Sequence, residues 1–180
     1  MRWTTFVIVA AVLLTLQTAV APFLGIGGVR PDWLIVGVVY FALYARAKDG
    51  IIAAWAIGFC ADLMTVERPG LISLSYALAA LGVTSVREYV FRYRAMTQFT
   101  MTLCICLPVQ TGWMFYRRIM YTPAQSVWVD WSVGALLVSL YTALWAPLLH
   151  RLLLRLSRLL GIARPRYSHA GLHTLETPDV

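Results

Sequence analysis

The sequence predicts an all-α integral membrane protein, a bundle of six transmembrane helices, on three observations. The chain of 180 residues is 60% hydrophobic and 13% charged, with a mean hydropathy of +0.72, which is more apolar surface than one soluble domain of that size buries. Six apolar stretches recur along it, separated by turns rich in Gly, Pro and charge. Basic residues stand singly or in pairs at the ends of those stretches, the pattern that orients spans in a membrane and not one that binds nucleic acid. One domain is expected over 1–161, the six helices with an amphipathic C-terminal extension. Residues 162–180 are polar, contain Pro and lack any period, so a disordered cytoplasmic tail is expected there.

The first span runs from Phe6 to Leu24. Ala19-Val20-Ala21 fits a signal-peptidase pattern, but Pro22 directly after the cut opposes cleavage, so an uncleaved helix is expected. Gly25 to Pro31 is a turn, and Pro31 suits the start of the next helix, where its missing N–H costs nothing. The second span starts near Asp32, where the helix dipole favours a negative charge, and ends near Tyr44.

The third span, Gly50 to Met64, carries the most informative pattern. At about 100° per residue, Gly50, Ala54, Gly58 and Asp62 fall four apart on one side, flanked by Ala53, Cys60 and Ala61. Trp55, Phe59, Ile52 and Leu63 fall on the other. Small residues on one face let a neighbouring helix approach closely in lipid, so Gly50, Ala54 and Gly58 are read as helix-packing positions. Asp62 closes that face, either as an interfacial residue or as part of a partner-binding mouth.

Pro69-Gly70 gives a sharp re-entry into the fourth span, Leu71 to Val86, which is small on several sides. The aromatic and basic run Arg87 to Arg94 reads as a headgroup anchor. The fifth span, Met96 to Tyr116, is the most polar, with Gln98, Thr100, Thr102, Gln110 and Thr111 around a kinking Pro108. Those groups serve interhelical hydrogen bonds or line a cavity. The sixth runs from Val127 to Leu149. Beyond it Arg151, Arg155 and Arg158 share one arc of a helix expected to leave the span and lie on anionic lipid headgroups, with His150 an interfacial residue at the junction.

With both termini cytoplasmic, eleven of the fifteen Lys and Arg lie inside, and four lie outside: Arg30, Arg68, Arg117 and Arg118. That asymmetry satisfies the positive-inside rule. Asp32, Asp62, Glu67 and Asp130 then share the outer side. Of these, Asp32, Asp62 and Glu67, together with Arg68, form a candidate partner-binding rim. The three Cys lie within apolar runs, and Cys104-Ile105-Cys106 points its thiols too far apart for a metal pair, so they read as packing residues.

Pro31-Asp32-Trp33-Leu34-Ile35, Gly50, Gly58-Phe59-Cys60-Ala61-Asp62-Leu63, Gly70-Leu71 and Tyr76 to Gly82 together resemble the bacterial rod shape-determining MreD family. The motifs cover roughly residues 31 to 82, and Arg68-Pro69-Gly70-Leu71 departs from the more apolar Pro-Leu-Gly-Leu turn of relatives. The resemblance implies a non-catalytic accessory protein of the elongation machinery in the cytoplasmic membrane. It implies association with MreC, MreB, RodA and a class B penicillin-binding transpeptidase, and no cofactor. The family is similar in fold to the substrate-binding subunits of energy-coupling-factor vitamin transporters, a likeness that transfers no ligand. The residues themselves offer no nucleophile with a base, no metal-ligand set and no phosphate loop. A small-molecule binding subunit of a transporter is the competing reading, supported by the polar fifth span and the outer acids.

Overall fold

The structure, a computed structural model, describes residues 3–65, 69–87, 95–121 and 128–159. Among these the chain is all-helical: α1 (Trp3–Thr15), continued by a π-helical turn (Leu16–Val20), α2 (Trp33–Tyr44), α3 (Ala47–Leu63), α4 (Leu71–Val86), α5 (Ala95–Tyr121) and α6 (Trp128–Leu159).

The centre of the bundle is α2. Every residue from Trp33 to Leu43 is buried, so the helix has no outer face. A helix apolar on all sides has to be enclosed, and α1, α3, α4, α5 and α6 all pack on α2. The surrounding helices turn large side chains outward: Trp55 and Phe59 on α3, Leu74 and Leu78 on α4, and Leu140, Leu144 and Leu148 on α6. So extensive an apolar exterior suits a lipid surrounding. Ser132–Leu156 is long and apolar enough to cross a membrane. Phe6–Val20, Trp33–Tyr44 and Leu71–Val86 are apolar but shorter than the length that test requires.

Around α2 the helices form two close pairs, α3 with α4 and α5 with α6, which meet each other chiefly where α4 lies beside α5. Hydrogen bonds to Asp32, at the start of α2, set the register: Tyr76 of α4, Gln110 of α5 and Thr142 of α6 all lie at its level. From that level α5 continues to Tyr121 and α6 reaches back through Ser132. At 1.5 Å per residue, the α5–α6 pair stands about 15 Å beyond the end of α2.

Several elements depart from the sequence reading. The first helix passes into a π turn at Leu16. The third begins at Ala47, taking Lys48 and Asp49 into its first turn, because the extended Arg46 is where the chain turns. The largest correction concerns α6, which runs unbroken past Leu149 to Leu159. Leu149 and Leu153 are in the core, so burial keeps this end on the bundle where a departing surface helix was expected. The expected tail, 162–180, lies outside the described residues, as do Glu67 and Arg68.

Candidate functional site

At 1.5 Å per residue, the 12 residues of α2 span about 18 Å, less than the ~30 Å of a bilayer core. Its ends therefore need partners from inside the protein, because the first N–H and last C=O groups of a helix have none of their own. At the start, the Asp32 N–H donates to Thr142 Oγ1 at 2.9 Å, the Trp33 N–H to Gln17 Oε1 at 2.8 Å and the Ile35 N–H to Asp32 Oδ1 at 3.3 Å. The π turn holds Gln17 there. At the other end Arg87, directly after α4, donates to the carbonyl oxygens of Ala45 at 2.6 Å and Ala42 at 3.4 Å. A cation at a helix C-terminus also complements the helix dipole.

The half-buried Asp32 carboxylate is the hub at the start of α2. The Tyr76 hydroxyl donates to Oδ2 at 3.2 Å and Gln110 Nε2 donates to the same oxygen at 3.0 Å. One side chain thus joins α2, α4 and α5, while its own N–H reaches α6. The Cys106 side chain of α5 is fully buried as well.

Asp62 ends the small face of α3 and is 2% exposed. Its Oδ2 accepts from the N–H groups of Gly70 and Ser73, each at 3.0 Å, and Oδ1 accepts from the Ile72 N–H at 3.1 Å. Gly70, at φ +105, turns the chain so that these donors converge. The carboxylate thus caps α4 from a different helix, and the negative charge meets the positive end of the α4 dipole. Expected on a partner-facing rim, Asp32 and Asp62 do come to one end of the bundle, but both point into the protein. The sequence spacing from Asp62 to Gly70 and Ser73 gave no sign of this, because such a cap depends on how α3 and α4 pack.

The small face of α3 serves two neighbours. A Cβ on Gly50 would lie 3.0 Å from the Phe41 carbonyl oxygen, against α2, and one on Gly58 would lie 2.5 Å from the Ser73 Cα, against α4. Ala54 between them is fully buried. Ile52, Trp55, Phe59 and Leu63 are exposed on the opposite arc. Toward the C-terminal end of α6 Arg151 and Arg155 are exposed, and Arg158 lies within the helix.

His150, read from the sequence as interfacial, is fully buried. Its Nε2 lies 3.3 Å from the Val36 oxygen and its ring packs edge-on against Tyr40 and Tyr44. Among the described residues its Nδ1 has no hydrogen-bond partner. The signal was present in the spacing, since Ala135, Ser139, Thr142, Ala146, Leu149 and Leu153 mark one buried arc that includes position 150.

On α5 the arc away from the hub is open. Thr100, Cys104, Pro108 and Gly112 are all exposed, and a Cβ on Gly112 would meet nothing within 4 Å. Beside them Leu107, Thr111, Ser132, Val133 and Leu136 line a groove of about 300 Å³ between α5 and α6. No set of three or more metal-ligating side chains gathers among the described residues.

No curated protein and no solved structure matches this chain. The family model described as rod shape-determining protein MreD matches residues 1–157, from the N-terminus into the last two turns of α6. The chain therefore belongs to the MreD family, membrane-associated proteins with a role in determining rod shape.

Proposed function

We propose that the protein is a non-catalytic membrane scaffold of the cell-elongation machinery that binds MreC and helps organise peptidoglycan synthesis. In this reading it crosses the bacterial cytoplasmic membrane six times with both termini inside. RodA, a class B penicillin-binding transpeptidase and MreB are members of the same assembly. Anionic lipids lie along Arg151, Arg155 and Arg158 at the inner end.

The observation that carries the reading is the open arc of α5. Lipid-facing helices gain nothing from Thr, Cys, Pro and Gly, whereas a partner helix gains close backbone approach and dispersion contacts from them. The α3–α4 exterior, with Trp55, Phe59, Leu74 and Leu78, has the bulky character expected against lipid. A membrane-spanning helix of MreC seated in the Leu107–Thr111–Ser132 groove fits this contrast. Asp32 and Asp62 support the outer end from within, and Glu67 and Arg68 remain proposed to orient the partner.

The test is copurification of MreC with the full chain from membranes. Gly112→Leu fills open space on α5, so binding is expected to fall about tenfold, equivalent to 1.4 kcal/mol, while Phe59→Leu leaves it unchanged. Full MreC binding by Gly112→Leu, with loss in Phe59→Leu, would move the contact to α3. The six-span orientation has its own check. Single cysteines at Arg30 and Arg68 should react with an impermeant thiol reagent in whole cells and those at Arg46 and Arg92 should not; the reverse pattern would invert it.

A further inference from the structure

We propose that the loop 22–30 between α1 and α2 is a membrane-inserted hairpin that holds an anionic phospholipid, the acyl chains against Phe23 and Ile26 and the phosphate on Arg30. The loop is a built element. Gly27 at φ +60 and Gly28 at φ +84 form the two-residue turn that pairs Ile26 with Val29. The pair exchanges both hydrogen bonds, from the Ile26 N–H to the Val29 oxygen at 3.1 Å and from the Val29 N–H to the Ile26 oxygen at 3.0 Å. Its base is fastened to α6 by Tyr141, whose hydroxyl donates to the Leu24 oxygen at 2.9 Å.

That contact sets the level of the loop, because Tyr141 lies inside Ser132–Leu156, the stretch of α6 long and apolar enough to cross a membrane. Irregular backbone beside such a stretch has to be paired or has to reach the polar surface. The N–H groups of Ala21, Phe23, Leu24, Gly25 and Ile26 all donate to nearby carbonyls. Between residues 21 and 29 only Gly27 and Gly28, at the exposed tip, leave an N–H for a headgroup or water among the described residues. The side chains complete the pattern. Phe23 is 89% exposed and Ile26 71%, more than any large apolar side chain of α3, α4 or α6. A loop in water gains nothing from such residues, whereas the boundary between headgroups and acyl chains accepts them. Arg30 is exposed and has no hydrogen-bond or ion-pair partner among the described residues. Its stem folds back over Gly25, where a Cβ would meet Arg30 Cγ at 3.4 Å and Nε at 3.7 Å, so the cation stays on the hairpin. A guanidinium joined to an apolar surface matches a phosphate joined to acyl chains. The inference rests on α6 crossing the membrane and is independent of MreC.

The experiment places a bimane fluorophore at Ile26→Cys, or at Leu144→Cys on the exposed face of α6, in the full chain with Cys60 and Cys104 replaced by Ala. The buried Cys106 stays in place. The protein is reconstituted in vesicles of phosphatidylcholine and phosphatidylglycerol that carry a nitroxide either near the top of the acyl chain or near its end. The Ile26 probe is expected to be quenched most by the first and the Leu144 probe by the second. With Leu144 quenched, an Ile26 probe that no lipid quenches would put the hairpin in water or against protein and overturn the proposal. Strongest quenching of Ile26 by the chain end would overturn it too. No quenching at either probe would overturn the membrane-spanning reading together with it. With the nitroxide on one lipid and then on the other, Arg30→Gln is expected to lower the preference of the Ile26 probe for phosphatidylglycerol about fivefold. Arg30→Lys should keep most of it. An unchanged preference in Arg30→Gln would overturn the assignment of the phosphate to Arg30.

Discussion

On α3, Gly50, Ala54, Gly58 and Asp62 recur every fourth residue and all are buried. On α5, Thr100, Cys104, Pro108 and Gly112 recur at the same interval and all are exposed. The pattern says that a helix comes close; it does not say whose. In the first case the neighbours are α2 and α4 of the same chain, brought near by short connections. In the second, α6 already occupies another side of α5, and the small arc faces outward. A stripe used internally should govern stability, and a stripe left open should govern association.

The largest effect that would test this difference is at Asp62. Asp62→Leu leaves three N–H groups at the start of α4 without acceptors, at about 1–3 kcal/mol each. The protein is expected to lose most of its folded population in a detergent melting assay. Asp62→Asn, which keeps an acceptor oxygen, should recover part of it. A melt for Asp62→Leu coincident with the unsubstituted protein would mean that water supplies those acceptors and that the α3–α4 pair is less closed than its geometry implies.

Next in size is Gly58→Leu. A side chain there meets the Ser73 backbone, which cannot rotate away, and overpacking of about 1–3 kcal/mol is expected. The melting temperature and membrane level should both fall. Gly112→Leu is the paired change on α5, with the same residue types and open space around the new side chain. Its stability change is expected within about 0.5 kcal/mol, read in the same assay, so that its effect appears only in MreC copurification. Equal destabilisation by the two would erase the distinction between the stripes.

Much of the local structure was legible. Pro31 and Asp32 mark the start of α2, and the Asp32 side chain accepts from the Ile35 N–H as an N-cap does. Pro69-Gly70 before Leu71 marked the start of α4, which runs to Val86 as read. The two faces of α3 followed from period alone, because residues four apart share a side whatever surrounds the helix. The divergent thiols of Cys104 and Cys106 are one exposed and one buried, for the same reason.

The placement of α2 at the centre was not legible in the same way. Its twelve residues are apolar all round and read like any short span, with no small-residue stripe or lone carboxylate face to mark a neighbour. Enclosure of α2 depends on five other helices arriving around it. Nor did the acids reveal their partners. Asp62 caps a helix that begins nine residues later, and Asp32 accepts from side chains 44 and 78 residues away.

What the sequence by itself determined is therefore the set of properties that depend on near neighbours: where each helix begins, which residues share a face, and that the exterior is apolar. Tertiary structure alone decided which face meets which helix. It turned two carboxylates expected at an outer rim into an internal hub and a helix cap, and it enclosed His150 against Val36, Tyr40 and Tyr44. The physical reason is that an unpaired N–H or carboxylate inside an apolar bundle takes the nearest complementary group. Which group is nearest is a property of packing across the whole chain.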